Sequence, residues 1–379
     1  MTDALLDRLL FPCLEDSVYL NQAALGLIGQ PATQTMHEFL DSVARHGNLK
    51  MDDDEEVEFF ESLRALGGEL LNCDTESVAI LSCASELLGQ LPFLIHPPAG
   101  KHVLAVSTDF PALTRPWLRY AQANDCEVRF VDDDPACDLT DRIIENIDSS
   151  TAVVAVSLVQ YATGTLIDVG RLRQATLTVG ARLVVDVTQA AGAVKVDARS
   201  WGADAVVTSG YKWLGGHGGV ALGTVSHDLL NQAPILPGWM GAPDAFDFDA
   251  TRVDFAPGGR RFTQSTMSYV SMAGLKTAIQ QLLSLGMDKI EHHARGLAMS
   301  LVEDVEETGW TPFREIGDSA ASSHLVSLAH PTMNAAEIAE KLRKNRVVCG
   351  VRNGRIRVSI APFNNSEDVS ALVAVLKGP

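Results

Sequence analysis

Hydrophobic and polar positions follow one pattern before residue 234 and another after it. In the first part, short apolar runs alternate with helix-length segments. Most runs are near-continuous, which is typical of strands buried on both faces; they span 78–81, 103–106, 128–131, 152–156, 183–187, 205–208 and 220–225. The segments between them predict helices over 85–95, 111–123, 138–147 and 170–179. Strands that alternate with helices predict an α/β fold with a mostly parallel sheet.

The second part begins with a loop region rich in proline and glycine and continues as a mixture of helices and strands. A long helical stretch over 268–305 is interrupted near Gly286. Later segments predict strands at 324–328 and 355–360, and helices at 334–344 and 366–376, the last with Ser366 as its N-cap. We therefore expect a large domain of residues 16–260 and a smaller α+β domain of residues 1–15 together with 261–379. Nearer the N-terminus, the acidic run 52–56 predicts the start of a helix.

Composition and charge are those of an ordinary globular protein. Of the 379 residues, 46% are hydrophobic and 21% are charged, which allows a sizeable core. The net charge of −18 opposes binding to nucleic acids and to anionic membranes. No apolar run approaches the roughly 20 residues of a membrane helix, and residues 1–10 lack the pattern of a secretory signal. The 6 cysteines are scattered without a C-x-x-C pair, so we expect reduced thiols, no metal site and a cytoplasmic protein.

Two polar residues at predicted strand ends indicate a specific chemistry. Asp186 ends one apolar run and Lys212 follows the next, 26 residues later, so one crossover brings both to the same sheet edge. A buried carboxylate needs a cationic partner, such as a protonated pyridine nitrogen. A lysine can form a Schiff base with an aldehyde. Each residue alone is better explained as a structural aspartate or a surface lysine, but together with a phosphate loop they predict pyridoxal 5'-phosphate (PLP) as cofactor.

The motifs D-V-T-Q at 186–189 and S-G-Y-K at 209–212 resemble those of the class V aminotransferase family of PLP enzymes. That family includes cysteine desulfurases, selenocysteine lyases, C–S lyases and isopenicillin N epimerase-like proteins. Weaker matches follow the family's order: Y-L-N-Q-A-A at 19–24, C-A-S-E at 83–86, T-D-F-P-A-L-T-R-P-W at 108–117 and G-R-I-R-V-S at 354–359. The resemblance covers nearly the whole chain. It implies the PLP-dependent transferase-like fold, an amino-acid substrate and a homodimer with a shared active site.

The same resemblance implies which residues bind the cofactor. Lys212 would form the Schiff base and move the substrate proton, while Asp186 would hold the pyridinium proton. Gln189 would touch the ring 3-oxygen. Phosphate would be bound by Ala84, Ser85, Ser209 and, from the neighbouring subunit, Thr266. An ordinary N-cap role is the alternative for Ser85 and for Thr266.

Several positions depart from the family pattern. Phe110 replaces the frequent stacking histidine, so acid–base work would fall more heavily on Lys212. Tyr211 replaces a second frequent histidine and could still donate to the phosphate. Tyr161 either lines the site or only packs, near the position of an expected asparagine. His217 either faces the substrate or is satisfied within its glycine-rich loop.

Two segments are implied to contact the substrate. Arg357 would bind the substrate carboxylate through paired hydrogen bonds, and an exposed strand arginine is the alternative. Ala24 belongs to the N-terminal segment that the resemblance places beside the substrate.

Three reactions stay open on this scaffold: lyase, transaminase and epimerase. The resemblance favours a lyase that acts on a sulfur- or selenium-containing amino acid. A non-catalytic module is the less favoured alternative, because Asp186, Gln189, Ser209 and Lys212 are all intact.

One local pattern separates this chain from the cysteine desulfurases. Those enzymes carry a nucleophilic cysteine on a loop that precedes the carboxylate-binding arginine. Here Cys349 lies in an apolar run, and Asn353 with Gly354 predicts a two-residue hairpin turn. A thiol in apolar surroundings has a raised pKa and is inert. We therefore expect no persulfide-forming cysteine, and release of sulfur by direct β-elimination.

Overall fold

The computed structural model describes residues 3–378. Its β-strands are β1 (Val18–Tyr19), β2 (Val78–Leu81), β3 (Lys101–Val106), β4 (Cys126–Val131), β5 (Thr151–Ser157), β6 (Arg182–Asp186), β7 (Ala205–Ser209), β8 (Ala221–Val225), β9 (Thr311–Pro312), β10 (Leu325–Ala329), β11 (Val347–Val348), β12 (Gly350–Arg352) and β13 (Arg355–Ser359). Its α-helices are α1 (Gln30–His46), α2 (Asp53–Leu71), α3 (Ala84–Ile95), α4 (Pro111–Ala123), α5 (Leu139–Glu145), α6 (Val169–Val179), α7 (Ala198–Trp201), α8 (His227–Leu230), α9 (Tyr269–Leu285), α10 (Met287–Val305), α11 (Ala335–Lys344) and α12 (Ser366–Lys377).

The larger sheet has the strand order β2-β8-β7-β6-β5-β3-β4. Its strands run parallel except β8, which is antiparallel to both of its neighbours. The central strands β6 and β7 are buried along almost their whole length, as their continuous apolar runs predict. The α/β class and the mostly parallel sheet are confirmed.

Polar caps fix where several helices begin. The acidic run does open α2: the Asp52 side chain accepts a hydrogen bond from the Glu55 amide, and the Glu55 side chain accepts one from the Asp52 amide. The predicted N-cap of α12 is wrong, because Asn365 holds that position and Ser366 is the first helical residue. Asn365 is the N-cap because Asp368, three residues later, completes a reciprocal capping box with it.

Within residues 3–378, no helix combines the length and apolar character needed to cross a membrane.

The C-terminal part of the chain forms a second, four-stranded antiparallel sheet with the strand order β12-β13-β10-β9. The turn between β12 and β13 consists of Asn353 and Gly354, with φ of 49° and 71°, so the predicted two-residue hairpin is confirmed. Beside this sheet, β1 pairs with β11, which ties the N-terminal segment to the C-terminal part of the chain. Helix α9 packs into the core of the larger sheet through Met272 and Leu275. The division into domains 16–260 and 1–15 with 261–379 stays a prediction.

Candidate active site

The carboxyl ends of three neighbouring parallel strands form one edge of the larger sheet. In the strand register, Ser157 of β5 lies beside Asp186 of β6, and Asp186 lies beside Val207 of β7. Lys212 follows the end of β7 and reaches the same edge. A pocket opens there, and the predicted residues that line it are Ala84, Ser85, Phe110, Tyr161, Asp186, Gln189, Ser209, Tyr211 and Lys212. The fold thus gathers residues that are up to 128 positions apart in sequence.

Asp186 is a buried carboxylate that forms no ion pair within the part of the chain that the structure describes. It is 5% exposed, and its Oδ1 accepts a hydrogen bond from the Thr188 amide at 2.8 Å. Burial raises the pKa of Asp186, although the hydrogen bonds from Thr188 and the charge of Lys212 oppose this. A protonated ring nitrogen would supply the partner that burial makes necessary.

Lys212 is buried against aromatic rings. Its Nζ lies 5.3 Å from the centroid of the Phe110 ring and 5.8 Å from that of Tyr211. Burial lowers the pKa of Lys212 to about 8; the charge of Asp186 opposes the shift, and the charges of Arg357 and Arg352 favour it. An amine with this pKa has a substantial neutral fraction near neutral pH, and the neutral amine is the nucleophilic form.

The backbone at Tyr211 and Lys212 accepts hydrogen bonds from the N-terminal segment. The Gln22 side chain donates to the Lys212 carbonyl at 2.9 Å, and the Gly26 amide donates to the Tyr211 carbonyl at 2.9 Å. A Cβ on Gly26 would lie 2.2 Å from the Lys212 carbonyl oxygen, so only glycine allows this approach. Ala24 lies between these two anchors but does not line the pocket.

The start of α3 lines the pocket through Cys83, Ala84 and Ser85. The N-cap residue is Cys83, whose side chain makes no capping hydrogen bond, so the first amides of the helix have no intrahelical partner. The N-cap alternative for Ser85 is therefore wrong, because Ser85 lies inside the first turn. Uncapped amides with the Ser85 and Ser209 hydroxyls beside them suit a phosphate dianion.

Asp109 supports the pocket through residues that line it, and sequence reasoning missed it. Its carboxylate accepts hydrogen bonds from the Ser157 amide at 2.8 Å, the Ser157 hydroxyl at 2.5 Å, the Gln160 side chain at 3.1 Å and the Phe110 amide at 2.7 Å. Burial raises the pKa of Asp109 to about 6. This network fixes Phe110, which precedes α4, to the end of β5. The available signal was an acidic residue directly before the Phe-Pro start of a predicted helix.

Gln189 is held from three sides. Its Oε1 accepts from the Trp213 indole at 2.8 Å, and its Nε2 donates to the Ala23 carbonyl at 3.1 Å. The His324 ring donates to its backbone carbonyl at 2.7 Å. These contacts leave one Nε2 hydrogen for the predicted contact with the ring 3-oxygen, which stays a prediction.

Arg357 is fully buried, and only one of its three guanidinium nitrogens has a hydrogen-bond partner among the described residues. It is 1% exposed, which rules out the alternative of an exposed strand arginine. Its Nη1 donates to the Tyr161 carbonyl at 2.9 Å, whereas Nε and Nη2 have no hydrogen-bond partner among the described residues. Opposite Arg357, Gly350 leaves space: a Cβ there would lie 3.3 and 3.4 Å from Nε and Nη2. The two free N–H groups match the two oxygens of a carboxylate.

The remaining predicted residues have different positions. Tyr161 both lines the pocket and packs edge-to-face on Phe110, with ring centroids 5.4 Å apart. His217 is exposed, and its Nδ1 contacts the Gly218 carbonyl at 3.0 Å, outside the pocket lining. Thr266 is exposed before α9, whose N-cap is Ser268, so the N-cap alternative for Thr266 is wrong. Its contact with a neighbouring subunit stays a prediction.

Comparison with known proteins identifies the family. The family model "Aminotransferase class-V" matches residues 18–372. The chain belongs to the class V aminotransferase family. Among family relatives, the chain is 24% identical to the uncharacterized aminotransferase YcbU of Bacillus subtilis, with 96% of this chain and 94% of YcbU covered. It is 23% identical to a probable cysteine desulfurase of Pyrococcus abyssi, with 97% and 95% covered.

The fold of this class V chain matches solved structures closely. A mutant of C-DES with glycine covalently linked to its PLP cofactor superposes with a TM-score of 0.90 at 20% identity, over 98% of this chain and 99% of that one. The apo cysteine desulfurase of Thermococcus onnurineus superposes with a TM-score of 0.87 at 20% identity, over 98% and 96%. The protein is therefore a PLP-dependent enzyme with the PLP-dependent transferase fold.

The residues of the pocket fit this cofactor. Asp186 is a buried carboxylate without an ion-pair partner among residues 3–378, Lys212 is a buried amine with a lowered pKa, and α3 begins with uncapped amides. These groups match in turn the pyridine nitrogen, the aldehyde and the phosphate. Phe110 is 40% exposed and lines the pocket with an apolar ring at a position where the family often has a histidine.

Proposed function

We propose that this enzyme is a β-lyase that cleaves the C–S or C–Se bond of an amino acid without a persulfide-forming cysteine. The observation that carries the proposal is the tight hairpin at Asn353 and Gly354, which joins the strand after Cys349 directly to the strand of Arg357. A mobile loop with a nucleophilic thiol has no room there. A related fold is that of the cystine C–S lyase C-DES, with a TM-score of 0.87 at 20% identity.

The state of the Cys349 thiol supports the same proposal. Burial raises the pKa of Cys349 to about 12, so at neutral pH the thiol is protonated and is a poor nucleophile. Cys83 is a second cysteine to consider, because it is exposed and lines the pocket. It lies at the start of α3, where the phosphate is expected, rather than beside Arg357.

The chain's own residues divide the work of this reaction. PLP supplies an electron sink for the carbanion at the substrate Cα. Arg357 binds the substrate carboxylate through Nε and Nη2 and so orients the amino acid. Lys212 accepts the proton from the substrate Cα. The Cβ–S bond then breaks, and the electron pair of that bond leaves with the sulfur. Phe110 and Tyr161 line the pocket with aromatic rings, while Asp186 provides the negative charge that a protonated ring nitrogen would pair with.

Product analysis of the purified holoenzyme tests the proposal. The enzyme is incubated with cysteine, cystine and selenocysteine, and pyruvate is measured together with sulfide, persulfide or selenide. We expect stoichiometric pyruvate, and none with Lys212→Ala, while Lys195→Ala is the matched control because Lys195 is exposed. Conversion of the cofactor to its amine form without pyruvate would instead establish a transaminase, and racemised substrate an epimerase.

Cysteine variants test the absence of a persulfide carrier. Cys349→Ala and Cys83→Ala should each retain pyruvate formation within about twofold, since neither thiol takes part in β-elimination. Circular dichroism and cofactor absorbance control for folding. A protein persulfide trapped on either cysteine, with turnover lost in the corresponding well-folded variant, would contradict the proposal and indicate a desulfurase.

A further inference from the structure

The side-chain amide of Gln189 contacts two partners of opposite hydrogen-bonding character. The indole N–H of Trp213 donates to Oε1 at 2.8 Å, and the carbonyl oxygen of Ala23 accepts from Nε2 at 3.1 Å. An indole can only donate, and a carbonyl can only accept. The oxygen and nitrogen ends of an amide have almost the same shape, so the partners decide its orientation. Here both partners demand the same orientation of the Gln189 amide.

Trp213 is held in the position that this hydrogen bond needs. It directly follows Lys212 in the chain and is 3% exposed. Its ring packs edge-to-face with that of His324, with centroids 4.4 Å apart and an interplanar angle of 89°. Apolar side chains complete the cluster around the indole: Ala23, Ala193 and Leu325. The indole is therefore packed with its N–H directed at Gln189.

His324 holds the backbone of Gln189 from the segment that leads into β10. Its Nε2 donates to the Gln189 carbonyl oxygen at 2.7 Å, and its own carbonyl oxygen accepts from the Ile360 amide at 2.8 Å. Burial lowers the pKa of His324 to about 4, so the ring is neutral near pH 7 and carries one N–H. That hydrogen is on Nε2, because the carbonyl oxygen of Gln189 can only accept.

The N–H groups of both rings converge on one residue of the pocket. Gln189 lines the pocket, whereas neither Trp213 nor His324 is among the residues that line it. For packing alone, phenylalanine and leucine would fill most of the same space without a polar group to satisfy. The two buried donors are thus better explained by what they do to Gln189 than by the volume of their rings.

We infer that Trp213 and His324 are positioning residues for Gln189, and that they orient its amide so that an Nε2 hydrogen is offered to the pocket, at the place predicted for the ring 3-oxygen of PLP. Gln189 then donates to this oxygen and does not accept from it. A donor stabilises the negative charge of the oxygen, which in turn attracts the proton of the neighbouring PLP–Lys212 linkage less strongly. The inference rests on the cofactor contact predicted for Gln189, and it holds for any of the reactions open to the enzyme.

The pH dependence of the holoenzyme spectrum tests this inference. The PLP–lysine linkage absorbs at roughly 400–430 nm while its nitrogen is protonated. The pH at which half of this absorbance is lost therefore measures how tightly the proton is held. Trp213→Phe keeps an aromatic ring but removes the N–H, and should raise this midpoint by roughly 0.5–1 pH unit. Gln189→Ala removes the donor itself and should raise the midpoint at least as far.

Two substitutions of His324 separate hydrogen bonding from packing. His324→Leu removes the donor to the Gln189 carbonyl, so the midpoint should again rise. His324→Gln supplies an amide N–H near the position of the ring Nε2, and should bring the midpoint back towards that of the wild type. This pair also decides the inference if Trp213→Phe folds poorly or takes up no PLP.

The chain contains a matched control for each ring. Trp310 is 1% exposed, and its indole donates to the Leu376 carbonyl oxygen at 3.3 Å. His293 is 6% exposed, and its Nε2 lies 3.0 Å from the Asn364 carbonyl oxygen. Trp310→Phe and His293→Leu therefore remove buried donors of the same kinds elsewhere in the chain. Both should lower the thermal stability and leave the spectral midpoint unchanged.

Each outcome decides the inference. Unchanged midpoints in Trp213→Phe and His324→Leu would overturn it, because the two rings would then only pack. Equal shifts in Trp213→Phe and Trp310→Phe would also overturn it, since they would indicate a general loosening of the fold. An unchanged midpoint in Gln189→Ala would show that Gln189 does not contact the 3-oxygen, and the inference would fail with that contact. Product analysis decides the proposed lyase separately, because the spectral midpoint is measured without substrate.

Discussion

At the residue scale, the burial of Lys212 determines how much of its amine is protonated. A solvent-exposed lysine is almost fully protonated at neutral pH. Aromatic rings surround Lys212, and burial brings its pKa down to about 8, with the charges of Arg357 and Arg352 contributing to the shift. Asp186, on the next strand, opposes this shift without cancelling it. The site therefore prepares the amine for carbonyl chemistry before any substrate arrives.

The lowered pKa predicts the pH dependence of Lys212 in the apoenzyme. Acetylation of Lys212 by dilute acetic anhydride, followed by peptide mass spectrometry, should rise with a midpoint near pH 8. The exposed Lys195 provides the control peptide in the same sample. Between pH 8 and 10.5 the unfolded chain binds more protons at this residue than the folded chain does, so the Lys212 contribution to stability should rise with pH in that window. A Lys212 midpoint above about pH 10 would contradict the assignment.

Arg357 should govern substrate affinity rather than cofactor binding. Arg357→Ala removes the two free N–H groups and should weaken amino-acid binding by about 2–5 kcal/mol. Cofactor absorbance should be retained, since no predicted cofactor contact involves Arg357. Spectral titration of the holoenzyme measures both quantities, with the exposed Arg346→Ala as the control. Loss of cofactor with unchanged amino-acid affinity would mean that Arg357 has another role.

At the element scale, the β12–β13 hairpin combines two tasks. Its two-residue turn at Asn353 and Gly354 fixes the register, and that register places Gly350 opposite Arg357. Gly350 has no side chain to fill the space beside the guanidinium. Gly26 has a similar role beside Lys212, because a Cβ there would lie 2.2 Å from the Lys212 carbonyl oxygen. At both positions a glycine allows a close approach that a Cβ would obstruct.

Gly350→Ala should narrow the carboxylate site. The added Cβ would lie 3.0 Å from the Asn21 Oδ1 and 3.3 Å from the Arg357 Nε, which is tight for both. We expect a loss of amino-acid affinity of about tenfold or more, equivalent to about 1.4 kcal/mol, with normal cofactor absorbance and thermal stability. Gly296→Ala, where a Cβ meets open space in α10, serves as the control. Unchanged affinity in Gly350→Ala would show that the space beside Arg357 is not used by the substrate.

At the scale of the whole molecule, the sequence predicts the scaffold better than the details of the site. The buried strands and the pair Asp186 and Lys212 are recoverable because continuous apolar runs and strand-end polar residues are local patterns. The Asp109 network is not, since its donor Ser157 lies 48 residues away and only the strand order brings them together. The position of Cys83 in the pocket lining has the same origin.

Other features depend on more than one chain or on the cellular setting. The homodimer, the role of Thr266 in a neighbouring site and the cytoplasmic location stay predictions.

The start of helix α12 shows a limit of sequence-based prediction at a smaller scale. Ser366 has the expected residue type for an N-cap, but Asn365 has the acidic partner at the right spacing. Spacing between two residues decided the outcome, and residue type alone did not.

The central claim is that Lys212 binds the cofactor covalently, and one measurement tests it most directly. The purified holoenzyme should absorb at roughly 400–430 nm, as expected of a PLP–lysine linkage. Reduction with borohydride, followed by proteolysis and mass spectrometry, should place the pyridoxyl group on Lys212. Lys212→Ala should lose both the absorbance and the adduct. A pyridoxyl group on Lys195 or another lysine, or a folded protein that takes up no PLP, would contradict the account.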